Sequence, residues 1–365
     1  MIRIAFYGSS LLSSYWNGAA TYYRGLLSAL APFGYDITFF EPDVFDRQAH
    51  RDIDPPPWAR VHVYAATPEA ARAALAEAAA ADVVIKASGV GVFDAELLNG
   101  ALATAAPHAL RVFWDVDAPA TLAELRAGAA PDLHRALPHL DLVLTYGGGE
   151  PVVQAYTALG AKYCIPIYNA LDPSTHYPVA ADPDFAADLA FLANRMPDRE
   201  ARAEAYFFAP ARALPERRFL LGGSGWDGKP HSSNVHLLGH LGSERHNAFN
   251  ASALAVLNVA RNSMAQIGFS PATRVFEAAG AGACLVTDAW DGIELFLNPG
   301  DEILVARDGA DVVEHLRALT PAMARRIGER ARQRILGEHT YDRRARIVDA
   351  AIRRALARRR DLVEA

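Results

Sequence analysis

The sequence predicts an α/β protein made of two doubly wound parallel sheets. Short apolar runs of strand length recur throughout the 365 residues, separated by stretches of helical period. The length exceeds what one hydrophobic core of usual size supports, so two domains are expected. Near the middle, NALDPSTHYPVAADPDFAAD holds three prolines and no periodicity. It reads as a linker over residues 171–187. Domains over 1–170 and 188–338 follow, with a C-terminal helix over 339–365.

The elements follow in order. IRIAFY runs apolar as a buried first strand. A loop over 8–18 precedes a helix over 19–30. ITFFEP is the second strand, a Pro-rich loop follows, and RVHVYA is the third. PEAARAALAEAAA is helical and DVVIKAS is the fourth strand. A helix over 95–105 leads to LRVFWD, and DLVLTYGGG is a strand entering a glycine-rich turn. A further helix leads to KYCIPIY. The second set is DLAFLANR, a helix to about residue 213, RRFLLGGSG, NVHLLGHL, a short helix near Arg245, and ALAVLNVAR. A helix and strand over 269–288, then EILVARDG and two long helices, complete the pattern. The last helix, over 341–360, carries eight arginines. It either touches an acidic membrane surface or is a solvated helix packed through Ile347, Ala351 and Ala355.

Composition narrows the function classes. Apolar residues make up 51% and charged residues 21%, as in globular proteins. A net charge of −6 argues against a general nucleic-acid binder. The two cysteines, Cys164 and Cys284, lie in strand-like runs and suggest buried free thiols in a reducing compartment. Strand-like IRIAFYG stands where a secretory signal would begin, and no apolar run approaches membrane-spanning length. A cytoplasmic enzyme is expected.

The candidate site centres on residues 269–296. Ser270 before Pro271 reads as a helix start, with Ser as the cap and the helix ending near Gly280. Its amino end suits a phosphate. Arg274 and Glu277 lie one turn apart on one face. Arg274 can hold a diphosphate, and Glu277 can accept from two neighbouring sugar hydroxyls. The bland alternative is a solvated Arg–Glu pair. Other candidates fall at strand ends. Asn194 and Arg195 follow one strand, and Arg195 can neutralise a diphosphate leaving group. Gly223 and Ser224 lie in GGSGWDG, a turn like a phosphate cradle but without the Lys-Ser/Thr ending. His240 borders a nucleobase or is a loop residue. Asn258, Arg261 and Asn262 end another strand.

In the first half, Asn17 and Gly18 either present amides to an acceptor or cap a helix. Trp16, Tyr22 and Tyr23 line an acceptor pocket or pack the helix on its sheet. Asp115 and Asp117 of DVDAP offer a general base, a cation pair or a turn. Gly148, within a run of three glycines, permits close approach to a ligand or makes a flexible turn. No G-x-G-x-x-G follows the first strand, which disfavours a nicotinamide site. The histidines are scattered without H-E-x-x-H, so no zinc enzyme is expected. No G-x-S-x-G elbow suggests a hydrolase.

Several stretches resemble the GT-B glycosyltransferases, and within them the CgeB-like group first named from spore maturation. They are FLANRMPDRE, FLLGGSGW, NVHLLGHL, ALAVLNVARNSM and the run from FSPATRVFEAAGAG to EILVARD, with SSYWNGAATYYRGLLSAL, HRD and DVDAP in the first half. The resemblance implies two Rossmann-like domains facing a central cleft. The second would hold a nucleotide diphosphate sugar, UDP-linked by preference with GDP and dTDP as options. The first would hold a small-molecule or glycan acceptor, and the final helix would cross back onto it. The resemblance also implies that Glu277 binds donor ribose and that Arg195 lies near the diphosphate. Many retaining relatives carry another Glu seven residues earlier; Ser270 stands there. No cofactor is implied, and divalent-metal use stays open. A nucleotide-sugar epimerase or hydrolase on the same fold, or a non-catalytic binding module, are the alternatives.

Overall fold

A computed structural model describes residues 1–364, and side chains through residue 360. Among the described residues, seven parallel strands form the first sheet: β1 (Ile2–Tyr7), β2 (Tyr35–Asp43), β3 (Ala59–Ala65), β4 (Val83–Ala87), β5 (Leu110–Asp115), β6 (Leu142–Thr145) and β7 (Cys164–Pro166). Their order is β3-β2-β1-β4-β5-β6-β7. Six more form the second: β8 (Ala187–Leu192), β9 (Phe219–Gly222), β10 (Val235–Gly239), β11 (Ala253–Asn258), β12 (Leu285–Asp288) and β13 (Leu304–Ala306). Their order is β10-β9-β8-β11-β12-β13, again parallel throughout. Central strands such as β4 and β12 are buried at every residue, because helices cover both faces of such sheets. Their continuous apolar runs, without alternation, follow from that.

The chain divides into two compact units. One is Met1–Tyr168 together with the helix that begins at Tyr341; the other is Asn169–Thr340. The stretch 171–187, read as a linker, lies within the second unit. Leu171 and Phe185 are buried, and Leu171 bridges to Thr340. Its prolines abolish helical or strand period without making it loose.

Two short helices after β5, Ala118–Arg126 and Pro131–Ala136, were not anticipated. Each carries Pro in its first turn, where the missing NH costs nothing.

The final helix, Tyr341–Glu364, packs on helix Ala20–Leu30 of the first unit. Its buried stripe is Tyr341, Ala345, Val348, Ile352 and Ala355. Ile347, expected in that stripe, is 43% exposed. One residue turns a helix by about 100°, and Val348 takes the inward place. Several of its arginines bind within the unit. Arg344 donates to Tyr168 O, Arg353 to Phe33 O, and Arg359 to Asp141 at 2.7 Å.

Gly25 is the contact point of these two helices, and a Cβ there would overlap the Tyr341 ring. Gly25→Ala should therefore lower stability by about 1–3 kcal/mol, the usual cost of overpacking. A urea-denaturation midpoint checks it; an unchanged midpoint would mean that the ring does not depend on this glycine.

Candidate functional site

In the second unit the chain leaves β8 toward β9 and β10 on one side and reaches β11, β12 and β13 on the other. The carboxyl ends of β8 and β11 therefore form the switch point where open α/β sheets collect ligands. Helix Thr273–Gly280 is anchored there by Arg274. Its Nε donates to Leu192 O at 2.6 Å, at the end of β8. Its Nη1 donates to Asn258 Oδ1 at 2.9 Å, at the end of β11. The guanidinium also lies 5.5 Å from the centre of the Phe191 ring. Burial, and then the charge of Arg199, push the Arg274 guanidinium down to about 9. Arg199 donates to Asn194 O at 3.1 Å. Two guanidinium groups held close enough to disfavour each other's charge make a place suited to an anion.

Glu277, one turn beyond Arg274, keeps 15% of its side chain exposed. Among the described residues its ion-pair partner is His176, with Nε2 4.0 Å from Oε1. His246 completes a cluster whose ligand atoms all lie within 4.8 Å of one another. Burial lowers the His246 pKa, which favours its neutral ring. Sequence reading missed this cluster, because His176 lies in the Pro-rich stretch and His246 in a short helix, His246–Ser252.

The other expected residues of this unit are placed as follows. Ser270 does not cap the helix. The helix begins at Thr273, its N-cap position is Ala272, and the Ser270 hydroxyl donates to Gly268 O at 3.0 Å. The tight turn at Gly268, with φ +76°, draws Ser270 back. The GGSG turn is not an open phosphate cradle at its centre. Gly223 N donates to Gly239 O and Ser224 N donates to Asn194 Oδ1. Asn194 thus ties two strand ends together. Arg195 makes a two-pronged pair with Glu200, at 2.7 and 3.0 Å, and Lys229 shares that carboxylate. Arg261 donates to Asp198 at 3.2 Å and begins helix Asn262–Ile267. His240 is exposed just after β10.

In the first unit, several expected acceptor contacts are structural. Asp115 is wholly buried, and burial raises its pKa. It accepts from Ser88, Thr121, Tyr156 and the Asp117 amide. A carboxylate so bonded and wholly buried organises a loop and is out of reach of a substrate. Asn17 donates to Ser10 O and Ser13 O and accepts from Ser9, so its amide is used within its own loop. Tyr22 is buried; it donates to Ile167 O and accepts from Trp114. Tyr23 is also buried. Gly148, with φ +89°, precedes helix Gly149–Ala158, and a Cβ there would overlap Val152. Its glycine serves packing. Gly18, Trp16 and Asp117 keep solvent access: Gly18 has open space beside it, Trp16 is 49% exposed, and Asp117 is half-buried.

The fold has solved counterparts. Sucrose-phosphate synthase from Thermosynechococcus elongatus is similar with a TM-score of 0.70 at 16% identity, over 98% of this chain and 100% of that one. HepE from Anabaena, in complex with UDP and glucose, gives 0.68 at 12% identity, over 96% and 99%. An α-glucosyltransferase in complex with UDP-glucose and DNA containing an abasic site gives 0.70 at 12% identity, over 96% and 98%. Together with the two parallel sheets, these likenesses give the chain the GT-B glycosyltransferase fold. At the level of sequence, residues 169–350 match the family described as glycosyl transferase-like. Among curated proteins, no sequence matches this chain.

A Cβ at Gly223 would overlap the Ala193 carbonyl, and φ there is +118°. Gly223→Ala should lower the thermal midpoint by several degrees, because backbone cannot yield as a side-chain tip does. A melting curve equal to that of the unaltered protein would remove this close approach from the account.

Proposed function

We propose that this chain is a glycosyltransferase of the hexosyl-transferring kind, related to the CgeB-like group. It would move a sugar from a nucleotide diphosphate sugar, UDP-linked by preference, to a hydroxyl of a small molecule or glycan. The observation that carries this reading is Glu277, a carboxylate whose only ion-pair partner among the described residues is His176, 4.0 Å away. It stands one turn along the helix from the half-buried Arg274. A carboxylate so placed suits the two hydroxyls of a ribose, and the Arg199–Arg274 pair suits a diphosphate. HepE solved with UDP and the α-glucosyltransferase solved with UDP-glucose supply precedent for the donor class.

In this reading the second unit binds the donor and the first binds the acceptor. The bond from the sugar's anomeric carbon to the diphosphate breaks, a bond to the acceptor oxygen forms, and the acceptor proton passes to a base. Asp117 is the better candidate for that base, because Asp115 is wholly buried and bonded internally. Arg195 contributes to the leaving group only if it exchanges Glu200 for phosphate. A cytoplasmic setting belongs to this reading, in keeping with free Cys164 and Cys284. No helix among the described residues is long and apolar enough to cross a membrane. DNA belongs in the acceptor panel because one structural neighbour is a DNA complex, although the net charge of −6 favours a small or glycan acceptor.

Calorimetry with UDP, GDP and dTDP tests the first step, and binding of at least one is expected. Glu277→Ala should weaken that binding by roughly 1.5–3 kcal/mol, the size of hydrogen bonds to a charged group. Absence of binding by all three would overturn the reading; unchanged affinity in the variant would remove Glu277 from the ribose.

A further inference from the structure

Two imidazoles and one carboxylate converge in the second unit, with one possible ligand atom from each within 4.8 Å of the others. His176 is 7% exposed, and its Nε2 is buried without a hydrogen-bond partner, 4.0 Å from Glu277 Oε1. The hydrogen bonds behind the rings set their tautomers. Thr175 Oγ1 donates to Asp172 O at 3.2 Å, so toward His176 Nδ1, 2.9 Å away, it accepts. The tautomer with its proton on Nδ1 suits that contact and leaves the Nε2 lone pair for a ligand. His246 Nε2 faces Leu241 O at 3.3 Å, and a carbonyl only accepts. The tautomer with its proton on Nε2 suits that carbonyl and leaves the other ring nitrogen a lone pair. Facing lone pairs repel unless a cation or a donor lies between them.

We propose that His176, His246 and Glu277 form a binding site for a divalent transition-metal ion of the zinc class. The ion also competes with nucleotide for Glu277, a consequence that rests on the ribose reading above. Two imidazoles and a carboxylate are a ligand set such ions accept, with bonds of about 2.0–2.2 Å. Magnesium and calcium prefer oxygen-only sets and fit poorly here. The ligand atoms already lie within 4.8 Å of one another, so side-chain rotations on the order of an ångström complete the site. Each imidazole is also backed in the manner of a metal ligand. Thr175 Oγ1 accepts from one ring and Leu241 O from the other, which fixes orientation and raises ligand basicity. The three residues come from the segment after β7, the helix His246–Ser252 and the helix Thr273–Gly280. An ion there would pin these three segments together while occupying the carboxylate that a ribose needs.

The test titrates chelator-treated full-length protein with Co²⁺ and follows its visible absorption band. One Co²⁺ per chain is expected, with at least about tenfold weaker binding in His176→Gln and in His246→Gln. Thermal midpoints measured in chelator establish that each variant is folded, and Glu277→Gln serves as a third variant if either is not. No band in the unaltered protein, or undiminished Co²⁺ affinity in the folded variants, overturns the site. UDP should then bleach the band. A band that persists while calorimetry shows UDP bound overturns the competition. Failure of UDP, GDP and dTDP alike to bind metal-free protein overturns the donor reading alone, because the Co²⁺ result is independent of it.

Discussion

The guanidinium of Arg274 is the interaction on which the second unit's site depends. It holds the ends of β8 and β11 to one another through Leu192 O and Asn258, and it fixes helix Thr273–Gly280 above them. Glu277 then projects from that same helix. Burying a cation is expensive, and here the nearest strong influence after burial is a second arginine that adds to the cost. An arrangement of that kind persists where an anion can offset the expense. Asp288 does not play that part directly: it is fully buried and bound to Arg202 and to the Ala260 amide.

Polar groups at the strand ends are largely spent inside their own unit. In the first, Glu41 accepts from Ser10, Gln48 and the amides of Leu11 and Leu12, while Asp115 and Asn17 are spent in the same way. These residues shape loops. In the second, Asn194 and Asp288 are spent likewise, whereas His176 Nε2, in the segment after β7, is buried without a hydrogen-bond partner. Satisfied polar groups hold a structure rigid, and unsatisfied ones invite a ligand. The distinction separates residues that look equally suitable by type.

That distinction also marks the limit of sequence reading. The strands were legible because parallel sheets covered on both faces demand apolar runs, and LRVFWD or VVIKA admit few other roles. Glu277 and Arg274 were legible as a pair because helical spacing fixes their relation. The fate of a hydrogen bond was not. Nothing in DVDAP reveals that Ser88, Thr121 and Tyr156 converge on Asp115, since those partners lie 27, 6 and 41 residues away. Nor does the spacing of His176, His246 and Glu277 along the chain suggest their meeting, which is set by tertiary packing alone. Ser270-Pro271 misled for a local reason: a cap signal is outweighed when a left-handed glycine two residues earlier turns the hydroxyl backward.

The return of the chain to its first unit has a consequence for how the protein is made. The apolar face of helix Ala20–Leu30, with Gly25 at its centre, is covered by residues from Tyr341 onward. During synthesis that face waits through more than 300 residues before its cover leaves the ribosome. The second unit, continuous in sequence, has no such wait. The first unit, begun before the second, is thus completed after it. A nascent chain of this design carries a sticky surface for most of its production and depends on chaperones, or on speed, to keep it from neighbours.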